Sequence, residues 1–184
     1  MKIPVIILFL LFIAPSLFAQ RFYRRPVEKL NQVNNTQQKQ GKWVVLVGEK
    51  VKSITYYKDN RLHGIAIKYW GNGKLKSEEE YRNDTPHGYF RDFYRDGGRN
   101  RFGNYKRGQK HGVFVKYWPN GEKRTEASFN DDIEDGLSLD YYRDGTLKKE
   151  IPYEKGIVKG DMKSYDKNGR LTKSKTFVGS SQVN

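Results

Sequence analysis

Apolar and polar residues alternate at period two along most of the chain after residue 40. In the segment HGVFVKYW, Val113, Val115 and Tyr117 fall on one side of an extended backbone, and the residues between them fall on the other. The same alternation begins again at Ile65 and at Leu137. This is the periodicity of a β-strand, and no segment after residue 19 carries a convincing helical stripe. The pattern therefore predicts an all-β protein.

Turn signals separate the alternating segments at regular intervals. Asn-Gly and Asp-Gly pairs favour the positive φ angles of tight hairpins. They lie within residues 71–73, 95–97, 119–121, 143–145 and 167–169. Weaker turn signals lie halfway between them, at residues 82–84, 106–108, 130–132 and 154–156. A strand of about eight residues and a turn of about four then alternate, which predicts an elongated antiparallel meander of about ten or eleven strands.

An internal repeat of 24 residues organises the whole pattern. Five glycines mark it, at Gly64, Gly88, Gly112, Gly136 and Gly160. The residues before them are His63, His87, His111, Asp135 and Lys159. Within the repeat, every twelfth position from Tyr57 to Phe177 is aromatic. We interpret this twelve-residue series as the apolar core of a thin sheet, because aromatic side chains bring large apolar area to cross-strand pairs.

The three histidines do not form a metal site in this arrangement. Equivalent positions in successive repeats lie two strands apart, about 9.6 Å in a flat meander. Ligands of one zinc ion must approach within about 3–4 Å of each other. We therefore predict that the histidines mark the entrance of a strand, where the following glycine permits tight backbone geometry.

Catalytic motifs are also missing from the sequence. There is no Gly-x-Ser-x-Gly nucleophile motif, no glycine-rich phosphate loop after a strand, and no histidine with a convergent nucleophile. The carboxylates of Glu78, Glu79 and Glu80 alternate across a strand and do not share one face. The sequence predicts a protein that is not an enzyme and uses no cofactor or metal.

The ends of the chain predict export and a bounded repeat domain. Residues 1–19 combine Lys2, an apolar run and a small residue at Ala19, as in a cleavable signal peptide, with a retained N-terminal anchor as the alternative. The chain has no cysteine, so it is not a cysteine-linked lipoprotein. We expect a secreted or periplasmic protein with a flexible polar leader at 20–40, a repeat domain at 41–178 and a tail at 179–184.

The segment YKRGQKHGVFVKYWPNG, from Tyr105 to Gly121, resembles the MORN repeat. It carries the tyrosine, the turn glycine, the His-Gly pair and the closing Asn-Gly at similar spacing. The Tyr-x-Gly-x-Trp opening is missing, which is similar to the bacterial MORN-repeat variants often labelled YwqK-type antitoxins. The resemblance covers about residues 41–177. It implies a twisted ribbon of hairpins used as a binding or assembly surface, and it implies no chemistry.

The net charge of +14 favours anionic partners, although it also serves solubility. Residues 82–124 hold eleven Lys or Arg against four acids, and residues 125–144 hold seven acids against Arg143. We predict a binding stripe in which basic side chains lie beside aromatic ones. Its residues are Trp70, Tyr94, Arg95, Arg99, Arg101, Arg107, Lys110, Lys116 and Trp118.

These observations favour a scaffold that binds a protein partner or an anionic membrane or envelope surface. A toxin-neutralising immunity protein is the alternative, and an enzyme or enzyme accessory subunit is a distant third. Nucleic acid is a disfavoured partner because the predicted signal peptide directs the chain out of the cytoplasm. Self-association through the neighbouring basic and acidic zones is a further expectation.

Overall fold

The computed structural model describes residues 29–179 and 181–182, and these residues form strands and turns without a helix. The predicted signal peptide and the first part of the predicted leader lie outside the described residues. The first eight strands are β1 (Gln32–Val33), β2 (Lys39–Val47), β3 (Lys50–Lys58), β4 (Arg61–Tyr69), β5 (Leu75–Arg82), β6 (Thr85–Phe93), β7 (Arg99–Lys106) and β8 (Gln109–Lys110). The others are β9 (Gly112–Tyr117), β10 (Lys123–Asn130), β11 (Ile133–Tyr141), β12 (Leu147–Glu154), β13 (Ile157–Val158), β14 (Gly160–Tyr165), β15 (Leu171–Val178) and β16 (Ser181–Gln182).

The strands follow one another across a single antiparallel sheet in sequence order. Short β8 and β9 together occupy one position in the sheet, and so do β13 and β14. We call each full-length position a rung. The sheet has twelve rungs among the described residues. Strands β2 to β7 form the first six, and the other six are formed by β8 together with β9, by β10, by β11, by β12, by β13 together with β14, and by β15. At about 4.8 Å between strands, this is a ribbon about 50 Å long. The predicted all-β meander is confirmed.

The sheet is larger at both ends than the predicted repeat domain. Strand β1 pairs with the start of β2, and a polar turn joins them, in which Asn34 N donates to Gln38 O at 2.9 Å. The Asn34 side chain accepts hydrogen bonds within the same turn. Residues 32–40 of the predicted leader thus form a hairpin whose turn is held by side-chain hydrogen bonds, although they have no apolar period. At the other end, β16 places part of the predicted tail against β15.

The two sets of turns have different geometry, and the sequence interpretation ranked them wrongly. Both central residues of the half-repeat turns have positive φ, as Asn83 (50°) and Asp84 (65°) show. These are the tight two-residue hairpins. In the full-repeat turns only the glycine has positive φ, as at Gly97. The preceding Asp96 instead accepts a hydrogen bond from Gly98 N at 2.9 Å through its side chain.

Each full-repeat turn is followed by a bulge, which inserts one extra residue into the second strand. Lys68 pairs with Ser77 and Tyr69 pairs with Leu75, so Lys76 has no opposite residue. The same irregularity recurs after the later full-repeat turns. The extra residues are Lys76, Asn100, Arg124, Lys148 and Thr172. Because a bulge reverses the alternation of side chains, it changes which face the following residues occupy.

The paired registers define two faces of the sheet. Directly opposite residues share a face. Face A contains Phe90 and Phe114, and face B contains Tyr89, Phe102 and Val115. The twelve-residue aromatic series divides between the faces, and all its members are half-buried. Face A holds Tyr57, Tyr81, Tyr105, Phe129, Tyr153 and Phe177, and face B holds Tyr69, Phe93, Tyr117, Tyr141 and Tyr165.

Burial is shallow because the sheet has only one layer. Among the described residues, Ala66 (7% exposed) and Val115 (4%) are the buried apolar side chains of the core. The aromatic series therefore stabilises the sheet by packing along both faces, and it is not enclosed between two layers. Each side chain depends on the rungs beside it, as in other repeat proteins.

The repeat glycines meet the aromatic series across neighbouring rungs. Gly136 pairs with Tyr153 and has a φ of 113°, a conformation that other residues rarely adopt. A Cβ atom on Gly136 would lie 3.2 Å from Ser128 Cβ on the other neighbouring rung. The repeat therefore needs glycine here for its backbone angle and for the close approach of the adjoining strand.

We predict that Gly136→Ala lowers the free energy of unfolding by about 1–3 kcal/mol, from backbone strain and crowding. Gly112→Ala should show the effect of backbone angle alone, because Gly112 has a φ of 83° and an added Cβ atom would meet no other atom within 4 Å. Urea unfolding measures both effects. Gly71→Ala is the matched control, with open space and no strained φ. A loss for Gly71→Ala equal to that for Gly136→Ala would contradict this explanation.

Candidate functional site

The edge of the ribbon that carries the full-repeat turns has a row of large aromatic side chains. We call Trp70, Tyr94, Trp118 and Tyr142 the edge aromatics. Each donates a hydrogen bond to the backbone carbonyl 23 residues later. The donor–acceptor distances are 3.2 Å from Trp70 to Phe93, 2.7 Å from Tyr94 to Tyr117, 3.3 Å from Trp118 to Tyr141 and 2.9 Å from Tyr142 to Tyr165. The edge aromatics therefore join successive repeats.

Cations from the bulges cover three of the edge aromatics. The Lys76 amine lies 4.6 Å from the ring centroid of Trp70, and the Arg124 guanidinium lies 4.6 Å from that of Trp118. Lys148 lies 5.5 Å from the ring of Tyr142. Such cation–π contacts stabilise exposed rings modestly. The predicted binding aromatics are thus half-buried and engaged with their own chain.

The opposite edge carries the half-repeat turns and the histidines. His63 Nδ1 lies 3.1 Å from Asn83 Oδ1, and His111 Nδ1 lies 3.2 Å from Asp131 Oδ1. Asp135 takes the same position and accepts from Lys155 N at 3.3 Å. These residues join each strand entrance to the turn 20 residues later. Within the described part of the chain, no group of three or more His, Cys, Asp or Glu side chains could hold a metal ion.

The predicted basic residues are distributed over both faces and both edges. Arg101, Lys110 and Lys116 lie on face A. Arg99 pairs with Phe93 on face B. Arg95 follows the end of β6 at the full-turn edge, and Arg107 lies in the half-turn at the opposite edge. The structure therefore does not bring these side chains together as one stripe.

Face A carries an aromatic cluster at the centre of the ribbon. The rings of Phe90, Tyr105, Phe114 and Phe129 lie in a chain of contacts, with centroids 5.3–5.6 Å apart. They line a shallow groove of about 340 Å³. The Lys110 amine lies 4.6 Å from the Phe129 ring centroid. The cluster is thus partly covered by a cation of the same chain.

An acidic side chain pairs with one of the cations on face A, Arg101. Arg101 Nε donates to Asp92 Oδ2 at 2.8 Å, and this hydrogen bond is the main reason that the pKa of Arg101 is raised. Asp92 is the residue opposite Arg101 across β6 and β7. Face A is consequently a mixed surface of rings and paired charges.

Two tyrosines beside Glu79 on face A, Tyr81 and Tyr105, have raised pKa values. Tyr81 OH donates to Glu79 Oε2 at 2.6 Å. Burial is the first cause that raises the pKa of Tyr81, and this hydrogen bond is the second. Burial also raises the pKa of Tyr105, with the negative charge of Glu79 next. The neutral phenols therefore contribute to the stability of the sheet.

Face B presents an uncovered apolar surface that the sequence analysis did not single out. Tyr89, Phe102, Val113 and Leu137 lie on this face and are each between 38% and 48% exposed. They come from four strands, β6, β7, β9 and β11. The alternation in the sequence placed Val113 and Leu137 at equivalent positions, and it did not extend to Tyr89 or Phe102. It did not show that this face lacks a second layer, which depends on how the strands assemble.

A small groove adjoins this apolar surface on face B. It has a volume of about 240 Å³. Its lining consists of the aromatic residues Phe93, Phe102 and Tyr117, three arginines and one acid, with the charged residues being Arg91, Arg99, Arg101 and Asp92. Arg91 forms an ion pair with Glu78, the opposite residue on β5, while Arg99 is exposed. The groove therefore combines apolar walls with a net positive lining, because its three arginines outnumber its one carboxylate, Asp92.

Three segments of the chain match the MORN repeat variant family, at residues 62–83, 110–131 and 134–155. Repeats of this kind are generally protein- or membrane-binding modules and are typically non-catalytic. No curated protein matches the chain. Among the described residues there is no helix that could cross a membrane.

We predict that Tyr142→Phe lowers the free energy of unfolding by about 1 kcal/mol, because the Tyr165 carbonyl loses its donor. Chemical denaturation of the full chain measures the change. Tyr89→Phe is the control, since Tyr89 is an exposed ring on face B. Equal stability of wild type and Tyr142→Phe would show that the hydrogen bonds between repeats at this edge contribute nothing.

We also predict that the sheet loses stability as the pH rises above about 10, the usual tyrosine pKa. The pKa values of Tyr81 and Tyr105 are raised in the folded state. The stability that these two tyrosines contribute is fully present below the pKa of tyrosine in the unfolded chain. It is lost as the pH rises from that value through their higher pKa in the folded state. Urea unfolding between pH 9 and pH 11 tests this, and Tyr81→Phe should make the decline shallower. An unchanged slope in that variant would argue against the role of Tyr81.

Proposed function

We propose that the protein is an exported, non-enzymatic repeat scaffold and that face B binds a protein partner. The observation that carries this proposal is the row of exposed apolar side chains at Tyr89, Phe102, Val113 and Leu137. Large apolar side chains that are exposed together on one face of a sheet are typical of an interaction site. The known role of MORN repeat variants as binding modules supports it.

The groove beside Phe102 favours a partner of defined chemistry. Its aromatic walls suit an apolar side chain, and exposed Arg99 suits a carboxylate next to that side chain. Aromatic and arginine residues together often dominate the binding energy of protein interfaces. The excess positive charge of the chain, +14, favours an acidic partner surface and speeds its association. We therefore infer that the partner presents an apolar anchor bordered by acidic residues.

Export of the protein rests on the N-terminal sequence. Residues 1–19 have the charge and apolar pattern of a signal peptide, and the chain has no cysteine for lipid attachment. The scaffold would then act in the periplasm or outside the cell. A single protein toxin is one partner that fits this proposal, and it is the partner that a YwqK-type antitoxin would have. An anionic envelope surface is the other, because basic residues occur on both faces and both edges.

We predict that the double variant Phe102→Ser with Val113→Ser loses its partner, with affinity at least about tenfold weaker, because anchors at the centre of an interface dominate binding. Quantitative pull-down from native envelope fractions measures the loss. Leu171→Ser is the matched control, since Leu171 is an exposed apolar residue on the same face near the end of the ribbon. Circular dichroism and thermal unfolding of each variant check the fold.

Three outcomes separate the candidate partners. A single protein recovered one to one by wild type and control, and lost in the double variant, supports a protein partner at face B. Binding to anionic vesicles that falls with added salt and is unaffected by the double variant supports an envelope surface instead. If the folded double variant retains the same protein as tightly as wild type, face B is not the binding surface.

A further inference from the structure

A cationic cleft lies at the half-turn edge, and its lining shares no residue with the exposed apolar row of face B. Its volume is about 320 Å³, and it is lined by Arg82, Asn83, Thr85, His87 and Arg107. Arg82 ends β5, Thr85 and His87 lie at the start of β6, and Arg107 lies in the turn after β7. The half-turn geometry of two successive repeats therefore brings two arginines and a histidine to one cleft.

Carboxylates do not line this cleft. Asp84 is the nearest acid in sequence, and its Oδ1 accepts a hydrogen bond from Leu62 N at 2.7 Å, on the rung before. Both arginines are exposed and His87 is half-buried. Arg107 N donates to His87 Nδ1 at 3.4 Å. With Nδ1 accepting, the neutral imidazole carries its proton on Nε2, so the ring retains a donor.

The neighbouring repeats show what is special about this position. The residue that corresponds to Arg107 is Asn83 one repeat earlier and Asp131 one repeat later. In the later repeat, the Asp131 carboxylate lies 3.2 Å from the His111 ring. In the earlier repeat, His63 contacts the side-chain amide of Asn83. Asn83 is itself a lining residue of the cleft, and the residue that corresponds to it one repeat earlier is the acid Asp59. The residues around His63 and around His111 thus include an acid, whereas those that line the cleft around His87 do not.

We propose that the cleft formed by Arg82, His87 and Arg107 binds a phosphate group. Arginine is suited to phosphate because its planar guanidinium donates two parallel hydrogen bonds to the oxygens. The hydroxyl of Thr85, the amide of Asn83 and the His87 ring supply further donors of the kinds found around bound phosphates. An exposed cleft of this type is expected to bind free phosphate weakly, with a Kd on the order of 1 mM. No residue that lines this cleft belongs to the protein interface proposed for face B.

The three histidines provide an internal control for the test. They are the only histidines in the chain, so three sets of imidazole C–H signals in an NMR spectrum report three equivalent positions. Inorganic phosphate is titrated into the full chain at constant pH and ionic strength, and His→Gln variants assign the signals. We expect the His87 signal to shift to saturation while that of His111 stays unchanged, and the His63 signal to shift less than that of His87, because His63 contacts only Asn83 of the cleft. Equal, unsaturated shifts of all three signals would overturn the proposal.

Two charge variants test the role of Arg107. Arg107→Asp gives the cleft the residue found one repeat later, and it should weaken phosphate binding by about tenfold or more. Lys155→Asp makes the same change in net charge at the corresponding turn two repeats away, where the backbone N–H of Lys155 donates to Asp135 Oδ1. It should leave the His87 titration unaltered. Equal losses in both variants would show an effect of net charge alone and would contradict a specific site.

Competition identifies the source of the phosphate group. Vesicles of phosphatidylcholine with phosphatidic acid carry a phosphomonoester, and vesicles with phosphatidylglycerol carry a diester of similar surface charge. If phosphatidic acid vesicles abolish the shift of the His87 signal by inorganic phosphate and phosphatidylglycerol vesicles do not, the site binds a lipid headgroup with a terminal phosphate. Persistence of the response with both kinds of vesicle assigns it to soluble phosphate compounds. Arg107→Asp should leave capture of the protein partner unchanged, so this proposal and that for face B fail separately.

Discussion

The sheet has a single layer, and this constraint determines how every part of the protein is stabilised. A side chain on either face has no second sheet or helix above it, so it packs only against the neighbouring strands. Among the described residues, very few side chains are buried in the usual sense. Stability therefore comes from repeated contacts between adjoining rungs, which recur with a period of 24 residues. The fold is a series of nearest-neighbour interactions.

Both edges of the ribbon serve this purpose, by different chemistry. At the full-turn edge, aromatic N–H and O–H groups donate to carbonyls in the following repeat, and bulge residues place cations over three of the four rings. At the half-turn edge, a His or Asp before the repeat glycine contacts the next turn. The residues at these positions join successive repeats, and they do so in the same way along the ribbon. Exposed side chains that take no part in these contacts between repeats, such as Phe102 and Arg107, are available to bind partners.

The sequence predicted the fold well because its two signals are local. Alternation at period two and turns at fixed intervals determine an antiparallel meander without reference to distant contacts. The face of each aromatic residue was harder to predict. Tyr69 and Tyr81 are both in the twelve-residue series, yet they lie on opposite faces, because the bulge at Lys76 inserts one residue between them. A bulge of this kind leaves no mark in the apolar pattern.

The surroundings of the candidate site residues were harder to predict from the sequence, for a physical reason. Trp70 and Trp118 looked available because each stands beside basic residues in the sequence. Their hydrogen-bond partners lie 23 residues away, and that distance becomes a contact only once the turns have folded. The grouping of Arg82, His87 and Arg107 likewise depends on two successive half-turns. Whether the predicted basic and aromatic residues bind a partner stays a prediction.

The nearest-neighbour design also determines how the protein responds to mechanical force. The strands run across the ribbon, while the described chain starts at one end of it and finishes at the other. Tension applied between these ends would pull first on the outermost strands, whose hydrogen bonds separate one after another. Each released repeat would add 24 residues of slack, and the rungs behind it would keep their contacts. Such a ribbon extends in small steps under low force, where a two-layer domain of similar size resists and then yields at once.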